Sequence, residues 1–347
     1  MKEALFHIAA FGEGGRAGLH TAAILPDGTA ELRHFLPCDG ASYLCLSHDG
    51  KFLFLANESP VRGGVASYRR EADGHLTPVS EQLADGRQCC HVSLSPDGTL
   101  LFASDYHNAQ LLAYQIDIKT GRLSPPVRVI QHEGHGPHPT RQASAHIHSA
   151  VCAPDGKWLC VADLGLDTLT AYPLTRGGIA DSPRVSRMRP ASGPRHLLFH
   201  PALPNRAYLV NELSCTLDTL DYADGRFTAR QTMPLLPNGA REGDTAAALR
   251  LSSDGRFLLA SVRGADTLTV FAVADDGTLS GGRTVPCGVG GPRDFNFLPG
   301  GHLLACAGER TGDIALFGYD AATGELAPRP ARLRNLPRPI CIEAAIA

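Results

Sequence analysis

Residues 131–172 have the sequence QHEGHGPHPTRQASAHIHSAVCAPDGKWLCVADLGLDTLTAY. The first half is rich in Gly, Pro and His and contains one Arg, a composition typical of a surface loop. The second half has two short apolar runs on either side of Pro154-Asp155-Gly156, which indicates two strands joined by a tight turn. The second half recurs along the chain and the first does not. We therefore infer a repeated scaffold with one loop set apart for chemistry.

The repeat consists of an apolar strand, a turn of the Ser/Ala-Pro-Asp-Gly type, a second apolar strand and, after Asn or Asp, a third strand. Its six copies are SYLCLSHDGKFLFLANES, CHVSLSPDGTLLFASDYHNAQLLAYQI, IHSAVCAPDGKWLCVADLGLDTLTAYPL, PRHLLFHPALPNRAYLVNELSCTLDTL, AALRLSSDGRFLLASVRGADTLTVFAV and PRDFNFLPGGHLLACAGERTGDIALFGY. The turns fall near Asp49, Asp97, Asp155, Asn205, Asp254 and Gly300. Steps of about 45 to 60 residues, each with three or four strands, are typical of β-propeller blades.

The two ends of the chain contain the parts of a further blade. The N-terminal segments LFHIAAF, GLHTAAIL and AELRHFL and the C-terminal segment ICIEAAI are too few to form blades separately. Pairing them would close the ring and remove its exposed sheet edges. We therefore predict an all-β fold, a seven-bladed β-propeller closed by pairing of the N- and C-terminal strands, with residues 1–347 in one domain. A six-bladed or open array is the alternative.

Composition limits the classes of partner and compartment. The net charge is −3 without a basic block, so we expect no nucleic-acid partner. No apolar run approaches the length of about 18 residues needed for a membrane span. The N-terminal MKEALFHIAAFGEGG does not resemble a signal peptide, so we expect a cytoplasmic protein without membrane contact. The ten cysteines are scattered and several lie in apolar strands, which favours free, buried thiols.

The repeat also predicts two columns of side chains. Six residues before the Pro of each turn, where the innermost strand begins, the copies have Ser42, Cys90, His148, Arg195, Ala247 and Arg293. Nine residues after the Asp or its equivalent, where the second strand ends, they have Glu58, Tyr106, Leu164, Arg263 and Glu309. The fourth copy has a short insertion, so its register is set by the strand AYLVNEL, which places Glu212 in this column. Both positions lie at the strand ends away from the turn, so both columns are expected at one mouth of the central channel. Solvated strand ends are often polar, but three Arg and three Glu exceed what solvation requires, which favours a functional site.

The loop 131–145 leads into the inner strand of the third copy and is expected at the same mouth. With the residue that follows it, this loop adds His132, Glu133, His135, His138, Arg141, Gln142 and His146. His146 and His148 are two residues apart, so on a strand their side chains would share one face. Such a pair could bind a metal, or provide one acid–base imidazole and one structural histidine. No further ligands occur at a fixed spacing, and we predict no metal.

These residues also carry a family resemblance. RQASAHIHSAVCAPDGKWLCVADLGLDTLTAY, then GPRHLLFHP and AYLVNEL, then LSSDGRFLLASVRGADTLTVF and GPRDFNFLPGG resemble, in order, the landmarks of the seven-bladed propeller lactonases. That family includes cytosolic 6-phosphogluconolactonases and fungal carboxy-muconate lactonising enzymes. The resemblance covers nearly the whole chain. The sequence departs from it at Asp105-Tyr106, where the family usually has Asn-Tyr, and at Val262-Arg263, where Asn-Arg is usual.

The resemblance implies catalytic positions at His148, Arg195, Glu212 and Arg263, the same residues that the column argument selects. The additional residues that we predict to bind substrate are Arg141, His146, Arg293, Glu58 and Glu309. Glu212 and His148 are candidates for the base and the acid, in either order. Arg195 and Arg263 are candidates for holding an oxyanion or a phosphate.

The expected reaction is hydrolysis of 6-phosphogluconolactone to 6-phosphogluconate, a step of the pentose phosphate pathway, without a metal or organic cofactor. The expected partner is a phosphorylated sugar lactone, and the expected assembly is a monomer or weak homo-oligomer. A carboxy-muconate-type lactonising enzyme is the alternative reaction. A propeller that binds a ligand or a protein without turnover is the alternative outside enzymes.

Overall fold

The computed structural model of the chain describes residues 3–175 and 178–344. Within these residues there are 29 strands in seven sheets and no helix. It follows that this part of the chain contains no helix that could span a membrane. The prediction of a single domain over 1–347 stays a prediction, since both termini lie outside the described residues.

The strands are, in chain order, β1 (Ala4–Ala10), β2 (Gly18–Ile24), β3 (Ala30–Pro37), β4 (Ala41–Leu46), β5 (Phe52–Asn57), β6 (Arg62–Arg70), β7 (Leu76–Asp85), β8 (Cys89–Leu94), β9 (Leu100–Asp105), β10 (Gln110–Ile116), β11 (Leu123–Gln131), β12 (Ile147–Cys152), β13 (Trp158–Asp163), β14 (Thr168–Thr175), β15 (Gly178–Ile179), β16 (Arg184–Arg187), β17 (Pro194–Phe199), β18 (Arg206–Asn211), β19 (Thr216–Ala223), β20 (Arg226–Pro234), β21 (Thr245–Leu251), β22 (Phe257–Arg263), β23 (Thr267–Val273), β24 (Leu279–Pro286), β25 (Pro292–Phe297), β26 (Leu303–Gly308), β27 (Asp313–Asp320), β28 (Glu325–Leu333) and β29 (Pro339–Ala344).

Each sheet is one blade, and its strands run antiparallel from the channel outward. Blades 1 to 6 are β4–β7, β8–β11, β12–β16, β17–β20, β21–β24 and β25–β28. Blade 7 has the order β29-β1-β2-β3, and β29 pairs with β1 from Phe6 opposite Ala344 to Ala10 opposite Pro339. The inner strands β4, β8, β12, β17, β21, β25 and β29 contact one another in this order and close the ring. The predicted seven-bladed propeller with a shared closing blade is therefore confirmed.

The turns between the first two strands of a blade are held by their own side chains. In blade 1, Ser47 Oγ donates to Asp49 Oδ1 at 2.7 Å and accepts from the Phe52 amide at 2.9 Å. Gly50 ends the turn with φ of 69°, a conformation that Gly adopts without a steric penalty. The same Ser–Asp contact recurs at Ser95–Asp97 and Ser252–Asp254. The Ser-x-Asp-Gly sequence thus specifies this hairpin wherever it is complete.

The hydrophobic core lies between neighbouring blades. One apolar cluster fills each of the seven interfaces: Phe54 of blade 1 packs with Leu112 of blade 2, and Phe6 of blade 7 packs with Ile314 of blade 6. Burial of each large apolar side chain contributes about 1.5–3 kcal/mol. All ten cysteines are free thiols, seven of them buried, which confirms the prediction from composition.

Each inner strand has a β-bulge near its start. In blade 3, Ile147 pairs with Asp163 and Ser149 pairs with Ala162, so His148 is the extra residue. The bulged residues of blades 1 to 7 are Ser42, Cys90, His148, Arg195, Ala247 with Ala248, Arg293 and Ile340. A bulge breaks the alternation of side chains and redirects one of them. The predicted inner column is therefore a column of bulges, all at the same end of the channel.

Candidate active site

The bulges open onto a polar cavity of about 260 Å³ at the mouth of the channel. The residues that line it are Glu58, Cys90, Tyr106, His107, Arg141, His148, Glu212, Thr245, Arg263 and Arg293. Most belong to the two columns predicted from the repeat, and Arg141 belongs to the loop between blades 2 and 3. Arg195, a further bulged residue, lines a smaller adjoining cavity, which shares Cys90, His148 and Arg293 with the first. The cavity is smaller than the roughly 300–1,000 Å³ of drug-sized sites and suits a small polar molecule.

Glu212 is the centre of the charges in this cavity. Its Oε1 accepts from Arg141 Nη2 at 2.5 Å, and its Oε2 lies 2.9 Å from Arg195 Nε and 3.1 Å from Arg263 Nη2. The four residues come from two neighbouring blades and a loop. Glu212 follows β18 in blade 4, Arg195 is the bulged residue of β17, and Arg263 ends β22 in blade 5. One carboxylate therefore joins three guanidinium groups that are far apart in sequence.

The surroundings keep Glu212 ionised. The side chain is almost completely enclosed, and burial alone would raise its pKa. The charges of Arg263 and Arg195, with a smaller contribution from Arg141, outweigh burial and hold the pKa of Glu212 well below its usual range. With both oxygens bonded to guanidinium groups, the carboxylate is a poor proton acceptor in this state.

In contrast to Glu212, His148 is kept in its neutral form by its surroundings. Its side chain is enclosed, and burial lowers its pKa well below 6.5, with a further contribution from Arg195. Glu212 acts in the other direction but does not reverse this shift. The imidazole is therefore neutral near pH 7. Its Nδ1 has no hydrogen-bond partner among the residues that the structure describes, so no such bond fixes the tautomer.

Aromatic rings continue below His148 into the channel. The His148 ring lies 5.3 Å from the His196 ring, which is 5.6 Å from His91; His91 in turn lies 4.6 Å from Tyr43. Arg195 Nη1 donates to the Ala247 carbonyl at 2.7 Å and lies 3.1 Å from His196 Nε2. Burial lowers the pKa of His91 to about 3, so this ring is also neutral. The two columns predicted from the repeat do not include this layer, although Tyr43, His91 and His196 each follow a bulged residue directly in sequence.

A second, more exposed charge cluster occupies the blade 6 side of the mouth. Arg293 Nη1 lies 3.6 Å from Glu309 Oε2, and Glu309 Oε1 accepts from Arg338 Nη2 at 2.6 Å. On the blade 1 side, Glu58 Oε2 accepts from Ser42 Oγ at 2.7 Å. Glu309 does not line the 260 Å³ cavity directly. The predicted residues Arg293, Glu58 and Glu309 are thus at the mouth, each with a partner.

The loop 131–145 brings only one of its predicted polar residues into the cavity. Arg141 contacts Glu212 and lies 3.4 Å from the Tyr106 hydroxyl. Gln142, which is completely buried, fixes the loop because it donates to the Leu164 carbonyl at 2.8 Å and accepts from the His138 amide at 3.0 Å. The sequence predicts the loop, but it does not indicate that Gln142 holds the loop in place through these two hydrogen bonds.

Two inferences about the histidines of this loop are wrong. His132 does not line the cavity; it is buried between Asp163, at 2.7 Å, and the Tyr172 hydroxyl, at 2.9 Å. His146 precedes β12 and His148 is a bulged residue, so the two do not share the face of a regular strand. His146 instead stacks on the Tyr106 ring at 4.4 Å and its Nδ1 lies 3.1 Å from the Tyr106 carbonyl. It therefore supports the wall of the mouth.

No set of three His, Cys, Asp or Glu side chains is grouped as metal ligands would be within 3–175 and 178–344. At the mouth, the carboxylates of Glu212 and Glu309 are instead bonded to guanidinium groups. The arrangement can bind an anion or a polarised carbonyl among four guanidinium groups, next to a neutral imidazole.

Comparison with known proteins places this site in context. Residues 9–344 match the sequence profile of the family described as "Lactonase, 7-bladed beta-propeller". The chain is 30% identical over 349 aligned positions to the 6-phosphogluconolactonase of Bacillus subtilis, and the match covers 99% of both chains.

Solved structures resemble the chain over the same extent. The periplasmic gluconolactonase of Pseudomonas aeruginosa is 30% identical with a TM-score of 0.91, and the match covers 100% of both chains. A protein from Lactobacillus plantarum is 27% identical with a TM-score of 0.91 over 99% of both chains. One relative is thus named for a phosphorylated lactone and another for an unphosphorylated one.

Proposed function

Because this chain belongs to the seven-bladed β-propeller lactonase family, we propose that it hydrolyses a sugar-acid lactone, with 6-phosphogluconolactone as the substrate and 6-phosphogluconate as the product. The observation that carries the proposal is the pairing of a neutral, cavity-lining His148 with guanidinium groups held by Glu212. Lactone hydrolysis requires a base for water, cations for the carbonyl oxyanion and an acid for the ring oxygen.

In the proposed mechanism His148 is the base and then the acid. Its neutral imidazole takes a proton from water as the water oxygen attacks the lactone carbonyl carbon. The resulting oxyanion is stabilised by the positive charges of Arg195 and Arg263 and by the N–H donors that Glu212 and the backbone do not occupy. The bond between the carbonyl carbon and the ring oxygen then breaks, and the ring oxygen takes the proton from the imidazolium. The product is the open hydroxy acid, and His148 is neutral again.

Glu212 has an electrostatic and positioning role in this mechanism. Its depressed pKa and its three guanidinium partners make it a weaker candidate for the base than His148. The carboxylate fixes the side chains of Arg195 and Arg263 and offsets part of their charge. It also stabilises the imidazolium that forms on His148. Water is the only other reactant that this mechanism needs.

The substrate-binding roles of Arg141, His146, Arg293, Glu58 and Glu309 are proposed for the same reaction. Arg141 and Arg293 are available for anionic groups of the substrate, since both line the cavity. Glu58 and Glu309 fix their neighbours, and His146 supports Tyr106. A cytoplasmic location and a monomer or weak homo-oligomer stay predictions.

Turnover of freshly generated 6-phosphogluconolactone near pH 6.5 tests the proposal, with 6-phosphogluconate followed by coupled NADP reduction. Glucono-1,5-lactone and a carboxy-muconolactone are measured in parallel. Acceleration of the phosphorylated lactone above the uncatalysed rate is the expected result. Turnover of the muconolactone alone would favour the lactonising alternative, and turnover of none of the three would favour a propeller that only binds its ligand.

A further inference from the structure

The mouth has a basic residue that neither the repeat nor the family landmarks select. Arg338 lies in the connection that crosses from β28 to β29, immediately before the strand that closes the ring. Its guanidinium reaches the blade 6 side of the mouth, where Nη2 donates to Glu309 Oε1 at 2.6 Å. Glu309 also faces Arg293, which lines the cavity. A continuous path of charges thus leads from the cavity to Arg338 at its rim.

Arg338 is fixed in place, although its side chain is 55% exposed. Its guanidinium carbon lies 4.8 Å from the centre of the Phe11 ring, and its carbonyl accepts from the Phe11 amide at 3.0 Å. Its φ is 36°, which lies in the left-handed region. This conformation is unfavourable for Arg338, because the side chain is bulky and Pro339 follows it. Such conformations persist where surrounding contacts impose them, and they are frequent at functional sites.

The charges at the rim leave a surplus of positive charge. Arg293 and Arg338 share the single carboxylate of Glu309, so the three groups together have one net positive charge. Burial would raise the pKa of Glu309, but Arg293 and Arg338 lower it, so the carboxylate stays ionised. The exposed guanidinium of Arg338 can bind a phosphate through two N–H donors at once.

The order of the blades places Arg338 across the mouth from His148. His148 belongs to blade 3, and the point opposite blade 3 in a seven-membered ring lies between blades 6 and 7. Arg293 and Glu309 belong to blade 6, and Arg338 leads into blade 7. In 6-phosphogluconolactone the phosphorus is three bonds away from the lactone ring. With the carbonyl at His148, the phosphate lies apart from the reacting centre, and Arg293 and Arg338 are the cations on the opposite side of the mouth.

We propose that Arg338, together with Arg293, is the phosphate-recognising residue that makes this site prefer a 6-phosphorylated lactone to the unphosphorylated one. This inference rests on the proposed lactonase function and deepens it. Arg338 has no part in the chemical step, which takes place at His148. Its contribution is to bind the phosphate in the ground state and in the transition state alike, which lowers KM and leaves kcat unchanged.

The experiment compares the wild type with Arg338→Ala and Arg338→Lys on 6-phosphogluconolactone and on glucono-1,5-lactone. For Arg338→Ala we expect KM for the phosphorylated lactone to rise about tenfold or more, as the loss of a charged hydrogen bond implies. Its kcat, and kcat/KM for glucono-1,5-lactone, should stay within about twofold of the wild type. Arg338→Lys keeps the positive charge but lacks the planar guanidinium group, so its KM should lie between those of the wild type and Arg338→Ala.

A matched control is Arg334→Ala, since Arg334 is an exposed arginine in the same connection. This variant removes one positive charge from the same segment, and its kcat and KM on both lactones should equal those of the wild type. Unfolding temperatures of all variants show whether the Phe11 contact also supports ring closure. Equal losses on both lactones, or an unchanged KM for the phosphorylated lactone, would overturn the specificity role of Arg338.

Binding of the products separates this inference from the proposed function. Calorimetric titration with 6-phosphogluconate and with gluconate requires no turnover. The expected result is that Arg338→Ala weakens binding of 6-phosphogluconate about tenfold or more and leaves gluconate unchanged. A wild type that hydrolyses neither lactone would refute the proposed function, whereas the titration would still decide whether Arg338 recognises the phosphate.

Discussion

Arg195 and Glu212 meet at 2.9 Å between Nε and Oε2, and both side chains are nearly inaccessible to solvent. An enclosed ion pair is expensive to form, and removing one partner leaves an uncompensated buried charge. Glu212 also pairs with the guanidinium groups of Arg141 and Arg263, so its removal would leave those two charges without this partner as well. Folding and the organisation of the site therefore depend on the same carboxylate.

Replacement of that carboxylate should be costly for stability. We expect Glu212→Gln to lower the free energy of unfolding by about 3–5 kcal/mol, because three cations then lose their shared anion. Denaturant unfolding measures the change. Glu309→Gln is the control, since its partners Arg293 and Arg338 are 23% and 55% exposed, and it should cost clearly less than Glu212→Gln. Similar small losses in both variants would contradict the central role of Glu212.

His148 should be essential for turnover and dispensable for folding. We expect His148→Asn to lower kcat by about 10²–10⁴-fold, the range of a lost general acid–base group. The matched control is His146→Asn, which removes an imidazole that stacks on Tyr106 without lining the cavity, and its kcat should stay within tenfold of the wild type. Steady-state kinetics decide the matter. A larger loss in His146→Asn than in His148→Asn would refute the assignment.

The pH dependence of turnover follows from the lowered pKa of His148. The active form is the neutral imidazole, so kcat/KM should stay constant as pH falls from 7.5 to 6.5 and decline only at lower pH. The measurement is the initial rate over this range after subtraction of the uncatalysed reaction. An acidic limb centred at or above pH 6.5 would show that His148 is not the depressed base described here.

Glu343 should make the stability of the fold depend on pH. This residue of β29 accepts from the Leu46 amide at 3.3 Å, and burial raises its pKa to about 7 from an ordinary 4.5, although Arg250 acts against the shift. The folded state thus retains a proton that the unfolded state releases. The stability from this group is complete below pH 4.5 and is lost as the pH rises to about 7.

Glu343→Gln should remove that dependence. We expect the variant to be more stable than the wild type at pH 8 by about 1–3 kcal/mol and nearly equal to it at pH 4. Denaturant midpoints at the two pH values provide the comparison. A variant that is less stable than the wild type at pH 8 would mean that the carboxylate is ionised and stabilising.

The repeat could be recognised from the sequence, and the ring of blades and the residues at its mouth could be predicted from the repeat. The Ser-x-Asp-Gly turns recur with fixed contacts, so residues at equal distances from them meet at one end of the channel. That regularity is why the position of Arg263 could be predicted, whereas Glu212, in a copy without this turn, was placed by the strand AYLVNEL. The resemblance to lactonases selected the same positions from motif order.

The features that could not be predicted from the sequence occur where the chain departs from regular strand geometry or from the repeat. A bulge leaves no mark in a period-2 pattern, so the shared face assumed for His146 and His148 was wrong. His132 was placed at the mouth because its loop leads there, whereas its bond to Asp163 buries it. Arg338 lies outside the repeat, and only ring closure through Phe11 brings it to Glu309.

Hydrolysis of 6-phosphogluconolactone by Arg195→Lys tests the central claim most directly, namely that the reaction takes place at the channel mouth. The variant keeps the positive charge beside Glu212 but loses the planar fork that contacts Glu212, His196 and Ala247. Folding is checked by thermal unfolding. We predict that kcat/KM falls by about 10²–10³-fold, the usual loss when one oxyanion donor is removed. A folded Arg195→Lys protein with wild-type kcat/KM would contradict the account and move the reaction to another part of the molecule.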